Sequence, residues 1–134
     1  MANPNQEHID EFRANAGQLG GYLEGAPMLL LHHVGRKSGQ EYVAPLTYQA
    51  VDSGYAIFAS NYGRTTDPAW YGNLQASPET TIELGADTIS VRARFTDPEE
   101  RDRIYEEQVR RMPPFAEYTE SAQRVIPVVM LERI

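Results

Sequence analysis

Thr80-Thr81-Ile82-Glu83-Leu84-Gly85-Ala86-Asp87-Thr88-Ile89-Ser90-Val91-Arg92-Ala93-Arg94-Phe95 is the stretch on which the fold turns. In its second half Ile89, Val91, Ala93 and Phe95 alternate with Thr88, Ser90, Arg92 and Arg94. A period of two sends one set into a core and the other into water. Gly85-Ala86-Asp87 lies between two such runs and has the glycine that a hairpin turn requires. Thr80–Leu84 and Thr88–Phe95 are therefore predicted to be antiparallel strands. Working towards the N-terminus, Met28–Val34, Tyr42–Gln49 and Tyr55–Ser60 read as three more strands, broken by Gly35–Gly39 and by Asp52-Ser53-Gly54. Pro45 cannot donate to a ladder, so it requires a sheet edge or a bulge. Ala69–Gln75 reads as a short helix. Asn3-Pro4 opens a first helix along which Ile9, Phe12, Ala16, Leu19 and Leu23 recur at helical spacing, to about residue 22. Towards the C-terminus, Asp97-Pro98-Glu99-Glu100 starts a helix that Pro113-Pro114 ends after Met112. Phe115–Arg124 is a further short helix and Pro127–Leu131 a last strand. The class is mainly β with flanking helices: about six hairpin-joined strands in a small antiparallel barrel, as a single domain over residues 1–134.

The 134 residues carry a net charge of −7, and apolar residues make up 41%. That balance fits a globular chain and argues against nucleic-acid binding. No cysteine is present, which removes disulfides, thiolate metal sites and thiol nucleophiles. The longest apolar run, Tyr55–Ala59, is far short of the roughly 20 residues of a membrane span. No basic stretch followed by an apolar one stands at the N-terminus, so a cytoplasmic location is expected. Bases exceed acids only in residues 28–64, where Arg36, Lys37 and Arg64 outnumber Glu41 and Asp52. Lys37 is the only lysine. A basic pair on a glycine turn in an acidic chain is either an anion site or a solvated turn.

Most catalytic signatures are missing. His32 and His33 are adjacent on a strand and point to opposite faces, so they cannot share a metal. Gly35-Arg36-Lys37-Ser38-Gly39 is not a phosphate-binding loop of Walker type, because Arg36 and Leu31 stand where glycines are needed. Nor is it a nucleophile elbow, since Arg36 and Gln40 replace the two glycines of that motif. No metal is expected. A redox role would require a borrowed cofactor.

Several phrases occur in a telling order: Phe12-Arg13-Ala14-Asn15, Leu29-Leu30-Leu31 leading into Gly35–Gly39, Pro45-Leu46, and Ala59-Ser60-Asn61-Tyr62-Gly63. Asp67-Pro68-Ala69-Trp70-Tyr71-Gly72-Asn73-Leu74, Pro114-Phe115-Ala116-Glu117-Tyr118 and Arg124-Val125-Ile126-Pro127-Val128 follow. Together they resemble the deazaflavin-dependent nitroreductase family, actinobacterial quinone reductases that use coenzyme F420. The resemblance spans nearly the whole chain and implies a split β-barrel like that of the flavin mononucleotide-binding reductases. It also implies hydride transfer from the reduced deazaflavin to a quinone-like or nitroaromatic acceptor.

Coenzyme F420 has a deazaflavin ring, a phosphate-bearing arm and an oligoglutamate tail, so it is a polyanion. The resemblance assigns that arm to Arg36, Lys37 and Ser38, where charge-assisted donors suit phosphate and carboxylates. It assigns ring and ribityl contacts to Pro45, Ser60, Asn61, Gly63, Pro68, Ala69, Trp70 and Asn73. Met112, Phe115 and Tyr118 become the acceptor wall, with Tyr118 or solvent as proton donor. From the residues alone, Trp70 and Phe115 are equally core anchors and Asn73 a helix C-cap. The family often has a basic residue at Tyr42 and tyrosines at Met112 and Phe115, so tail binding and the handling of bulky nitro compounds should differ here. Two other readings stay open: a non-catalytic carrier of a deazaflavin or tetrapyrrole, and a flavin mononucleotide-dependent oxidoreductase. The chain is expected to be a monomer or homodimer. Its first helix has three acids in residues 4–16, which anionic lipid would repel, so packing on the barrel is expected rather than peripheral membrane contact.

Overall fold

The computed structural model describes residues 4–17, 27–51 and 54–134. Six strands form a closed antiparallel barrel: β1 (Met28–Val34), β2 (Glu41–Val51), β3 (Gly54–Phe58), β4 (Glu79–Leu84), β5 (Asp87–Phe95) and β6 (Val128–Arg133). Around the barrel the order is β1-β2-β3-β6-β5-β4. The described helices are α1 (Pro4–Ala14), α2 (Ala69–Ala76), α3 (Pro98–Arg111) and α4 (Pro114–Ala122). None of them is long and apolar enough to cross a membrane.

The strand alternation decides what lies inside. Leu29 and Leu31 of β1, Ile57 of β3, Ile82 of β4, Val91 and Ala93 of β5, and Val129 and Leu131 of β6 fill the interior. Trp70 and Leu74 of α2 join the same cluster. Met28 and Leu30 face the other way, against Ile9 and Phe12 of α1. Val128 and Met130 likewise pack outward under Ile104, Phe115 and Ala122 of α3 and α4. Because β1 and β6 are covered on both faces, they read as continuous apolar runs, whereas β5 alternates visibly. Burying a Leu, Ile or Phe is worth roughly 1.5–3 kcal/mol, so these three clusters supply the main drive to fold.

Three expectations are corrected. The first helix stops at Ala14 instead of running to about residue 22. Ala16 and Gly17 turn left-handed (φ 52° and 93°), and the Gly17 N–H donates to the Phe12 carbonyl at 2.8 Å. This is the closing bond of a Schellman motif. Leu19, Gly20, Gly21 and Leu23 lie outside the described residues, as do Asp52 and Ser53 of the β2–β3 turn. The β4–β5 turn has two residues instead of three, since Asp87 already pairs with Leu84. Gly85 takes the positive φ (+60°) that such a turn demands at its first position. Finally, Phe95 is 39% exposed and meets the Tyr71 ring edge-on at 5.8 Å, because it stands at the end of β5.

The α3 start is as expected. Asp97 caps it, its carboxylate accepting the Glu100 N–H at 2.8 Å, with Pro98 in the first turn.

Candidate active site

Pairing between β2 and β3 covers only Tyr48–Val51, so residues 44–47 have β1 on one side and no strand on the other. Pro45 sits in this half-open stretch, opposite Leu30, where its missing N–H is tolerated. A cleft of about 370 Å3 opens there. Ala44, Pro45, Leu46 and Thr47 line one side. Phe58, Ser60 and Asn61 follow from the end of β3, then Pro68 and Trp70 from the start of α2. Met112, Pro114, Phe115 and Tyr118 close it from the α3–α4 corner, and His8 reaches it from α1. Most of the residues expected at the ring and the acceptor wall thus converge on one cleft. A shallower groove of about 580 Å3 between α3 and α4 contains none of them.

The expected acceptor wall is closely packed. Phe115 and Tyr118 lie on one face of α4 with ring centroids 5.1 Å apart, as a three-residue spacing on a helix requires. Phe115 also packs edge-on against Phe58 at 5.3 Å, and the Tyr105 hydroxyl donates to its carbonyl at 2.7 Å. Phe115 and Trp70 are therefore both core residues and cleft walls, at 6% and 5% exposure.

The polar edge is built by the segment after β3. Asn61 occupies left-handed space (φ 48°) in a single 3-10 turn, Asn61–Gly63. Its side-chain NH2 donates to the Thr66 carbonyl at 3.1 Å. Its amide oxygen stays available to a ligand.

The Gly35–Gly39 turn contributes no residue to the lining of the cleft and meets α2 through Arg36. The Gly35 carbonyl accepts the Gly39 N–H at 2.8 Å, and Ser38 Oγ accepts the Gln40 N–H at 3.1 Å. Arg36 folds onto α2: Nη1 donates to Asn73 Oδ1 at 2.9 Å and to the Ala69 carbonyl at 3.2 Å. Gly72 makes this possible, since a Cβ there would sit 2.8 Å from Arg36 Cζ. Lys37 is exposed.

Three of the expected cofactor residues have local partners of their own. Asn73 is 4% exposed and fully engaged, holding the Arg36 backbone and guanidinium through Oδ1 and meeting His33 Nδ1 through Nδ2 at 2.9 Å. It is also not a C-cap, since Ser77 ends α2. Burial, with the neighbouring His32 second, holds the His33 pKa below its ordinary value, so its Nδ1 accepts from Asn73. Ala69 offers its carbonyl to Arg36. Gly63 (φ 79°) lets α4 approach, because a Cβ there would lie 3.1 Å from Ser121 Cβ.

Arg124 is the residue that sequence reading passed over. It donates to the carbonyls of Ala59, Ser60, Arg64 and Thr66 at 3.0–3.3 Å and to Asp67 Oδ1 at 2.7 Å. Its place in the phrase Arg124-Val125-Ile126-Pro127-Val128 was the available signal, but its partners lie about 60 positions away.

The family model described as F420H(2)-dependent quinone reductase matches residues 5–133. A curated relative, an F420H(2)-dependent quinone reductase of Mycobacterium tuberculosis, is 34% identical over 133 residues, 94% of this chain and 87% of its own. A solved F420-H2 dependent reductase (FDR-A) superimposes with a TM-score of 0.71 at 34% identity, over 79% of this chain and 94% of its own. A further structure, described as a domain-swapped dimer, gives a TM-score of 0.73 at 30% identity over 95% and 96%.

Proposed function

The chain belongs to the F420H(2)-dependent quinone reductase family, and from that membership we propose how its cleft performs the reaction. The protein is an oxidoreductase with coenzyme F420 as cofactor and a quinone as acceptor. The observation that supports the site is the convergence of Pro45, Ser60, Asn61, Pro68 and Trp70 with Met112, Phe115 and Tyr118 on one cleft.

The residues present suit this cofactor. About 370 Å3 is near the lower end of ligand pockets, enough for a flat ring and too little for the whole molecule. Apolar walls from Trp70 and Pro45 suit the ring faces, and Ser60 with Asn61 offers polar groups to its pyrimidine edge. Lys37, with Arg36 and Ser38, would hold the anionic arm. Asn73 and Ala69 serve the cofactor indirectly, by fixing Arg36. When bound, the reduced cofactor supplies a hydride from C5, and the quinone takes that hydride and a proton to become a hydroquinone.

The protein's own contribution is placement. Phe115 and Met112 present a flat apolar wall that keeps water out and holds an aromatic acceptor against the ring. Tyr118 brings a hydroxyl to the same wall, where it donates to an acceptor oxygen as charge develops. Nitroaromatic acceptors fit the same wall less well, as argued below. We also propose a homodimer, supported by the neighbour described as domain-swapped; light scattering tests it.

The deciding experiment titrates the protein with coenzyme F420 and flavin mononucleotide side by side, then adds menadione to the reduced complex. Tighter binding of coenzyme F420 and menadione-dependent turnover are expected. Equal or better affinity for the flavin favours the flavin-dependent reading. Binding of coenzyme F420 without turnover leaves a carrier.

A further inference from the structure

We propose that Arg124 is a positioning residue for the reaction: it fastens the loop that lines the ring side of the cleft to the helix that forms the acceptor wall. The proposal rests on the reductase reading above. The two sides of the cleft come from distant parts of the chain, Ser60–Trp70 on one and Met112–Tyr118 on the other. Their separation sets the distance between donor and acceptor. A displacement of about 1 Å can cost a hundredfold in rate, so whatever ties the two sides together matters.

The ties are concentrated at the end of α4. Gly63 lacks the Cβ that would collide with Ser121, and Ser121 Oγ donates to the Gly63 carbonyl at 2.8 Å. Gln123 then turns left-handed (φ 53°) and delivers Arg124 over the loop. There one guanidinium gathers four carbonyls and a carboxylate between Ala59 and Asp67. Only 17% of the side chain is exposed, so water competes little for these bonds. The Thr66 carbonyl also receives Asn61 Nδ2, so Arg124 and the ring-lining Asn61 share an acceptor.

No strand ladder holds residues 60–68. Their conformation, including the left-handed Asn61, depends on this cluster. A lysine could not replace it, because a point charge on a flexible stem cannot reach in-plane acceptors on both sides as the guanidinium does.

The test compares wild type, Arg124→Ala, Arg124→Lys and, as a control arginine that touches Tyr55 instead of the loop, Arg133→Ala. Hydrogen exchange is read first, without cofactor. Arg124→Ala is expected to speed amide exchange in residues 59–68 by about tenfold or more while β5 and β6 stay protected. Menadione turnover at saturating cofactor and acceptor is expected to fall about 10- to 100-fold, with KM changed little. Arg124→Lys should be intermediate and Arg133→Ala like wild type. Should Arg124→Ala not fold, Arg124→Lys carries the test. Unchanged loop exchange, or a lowered melting temperature with wild-type kcat, overturns the proposal and leaves Arg124 merely structural. A wild type that reduces no quinone overturns the reductase reading and the positioning role with it.

Discussion

Arg36 and Lys37 are neighbours of like charge with different duties. Arg36 spends donors on Asn73 and Ala69, so it helps hold the turn against α2. Lys37 is exposed, and we propose that it meets the anionic arm. Lys37→Ala should therefore weaken coenzyme F420 about ten- to a hundredfold while the protein melts as before. Added salt should weaken wild-type binding by screening and have less effect on the variant. Arg36→Ala should weaken binding and also lower the melting temperature, since Asn73 Oδ1, in a buried place, loses the guanidinium and keeps only the backbone N–H of residue 36. Fluorescence titration and thermal melts separate the two. Unchanged affinity in both variants returns the pair to a solvated turn.

One carboxylate adds an ion pair to the apolar docking of α1 on the barrel. Glu83 of β4 accepts two hydrogen bonds from Arg13 of α1, at 3.0 and 2.8 Å, and meets His32 Nε2 at 2.7 Å. The Arg13 guanidinium, ahead of His32, holds the Glu83 carboxyl below its ordinary value near 4.5. A depressed carboxylate contributes stability that is fully present above that ordinary value and is lost as pH falls through the lower, folded one. Urea unfolding of wild type and Glu83→Gln should thus differ near neutrality and converge in acid below the ordinary carboxylate range. A gap that persists undiminished there would mean that packing, not charge, joins α1 to β4. This contact also shows what sequence withheld. The strands were legible because side-chain alternation and Pro or Gly breaks are local. The end of α1 was not, because a left-handed Ala16 does what a glycine usually does. The Gly63–Ser121 and Arg124–Asp67 ties were not either, since each joins positions almost 60 apart.

Taken as one object, the barrel leaves its cleft where β2 outruns β3, and that opening limits what can enter. The motif phrases indicated which residues meet there, while the local partners of Asn73 and Gly63 needed three dimensions. With about 370 Å3 shared by a ring and its acceptor, little room remains for bulk. Phe115 is packed edge-on against both Phe58 and Tyr105. Unlike a tyrosine it offers no hydroxyl to a nitro group. Menadione should therefore be reduced with a higher kcat/KM than a bicyclic nitroimidazole. Tyr118→Phe should lower kcat for menadione more than it changes KM, because a bond that strengthens as charge develops acts on the transition state. Steady-state kinetics of both proteins on both acceptors tests each half separately. Wild-type kinetics in Tyr118→Phe would remove the donor and leave the proton to solvent, and a preference for the nitroimidazole would show that the wall yields where Phe115 is packed.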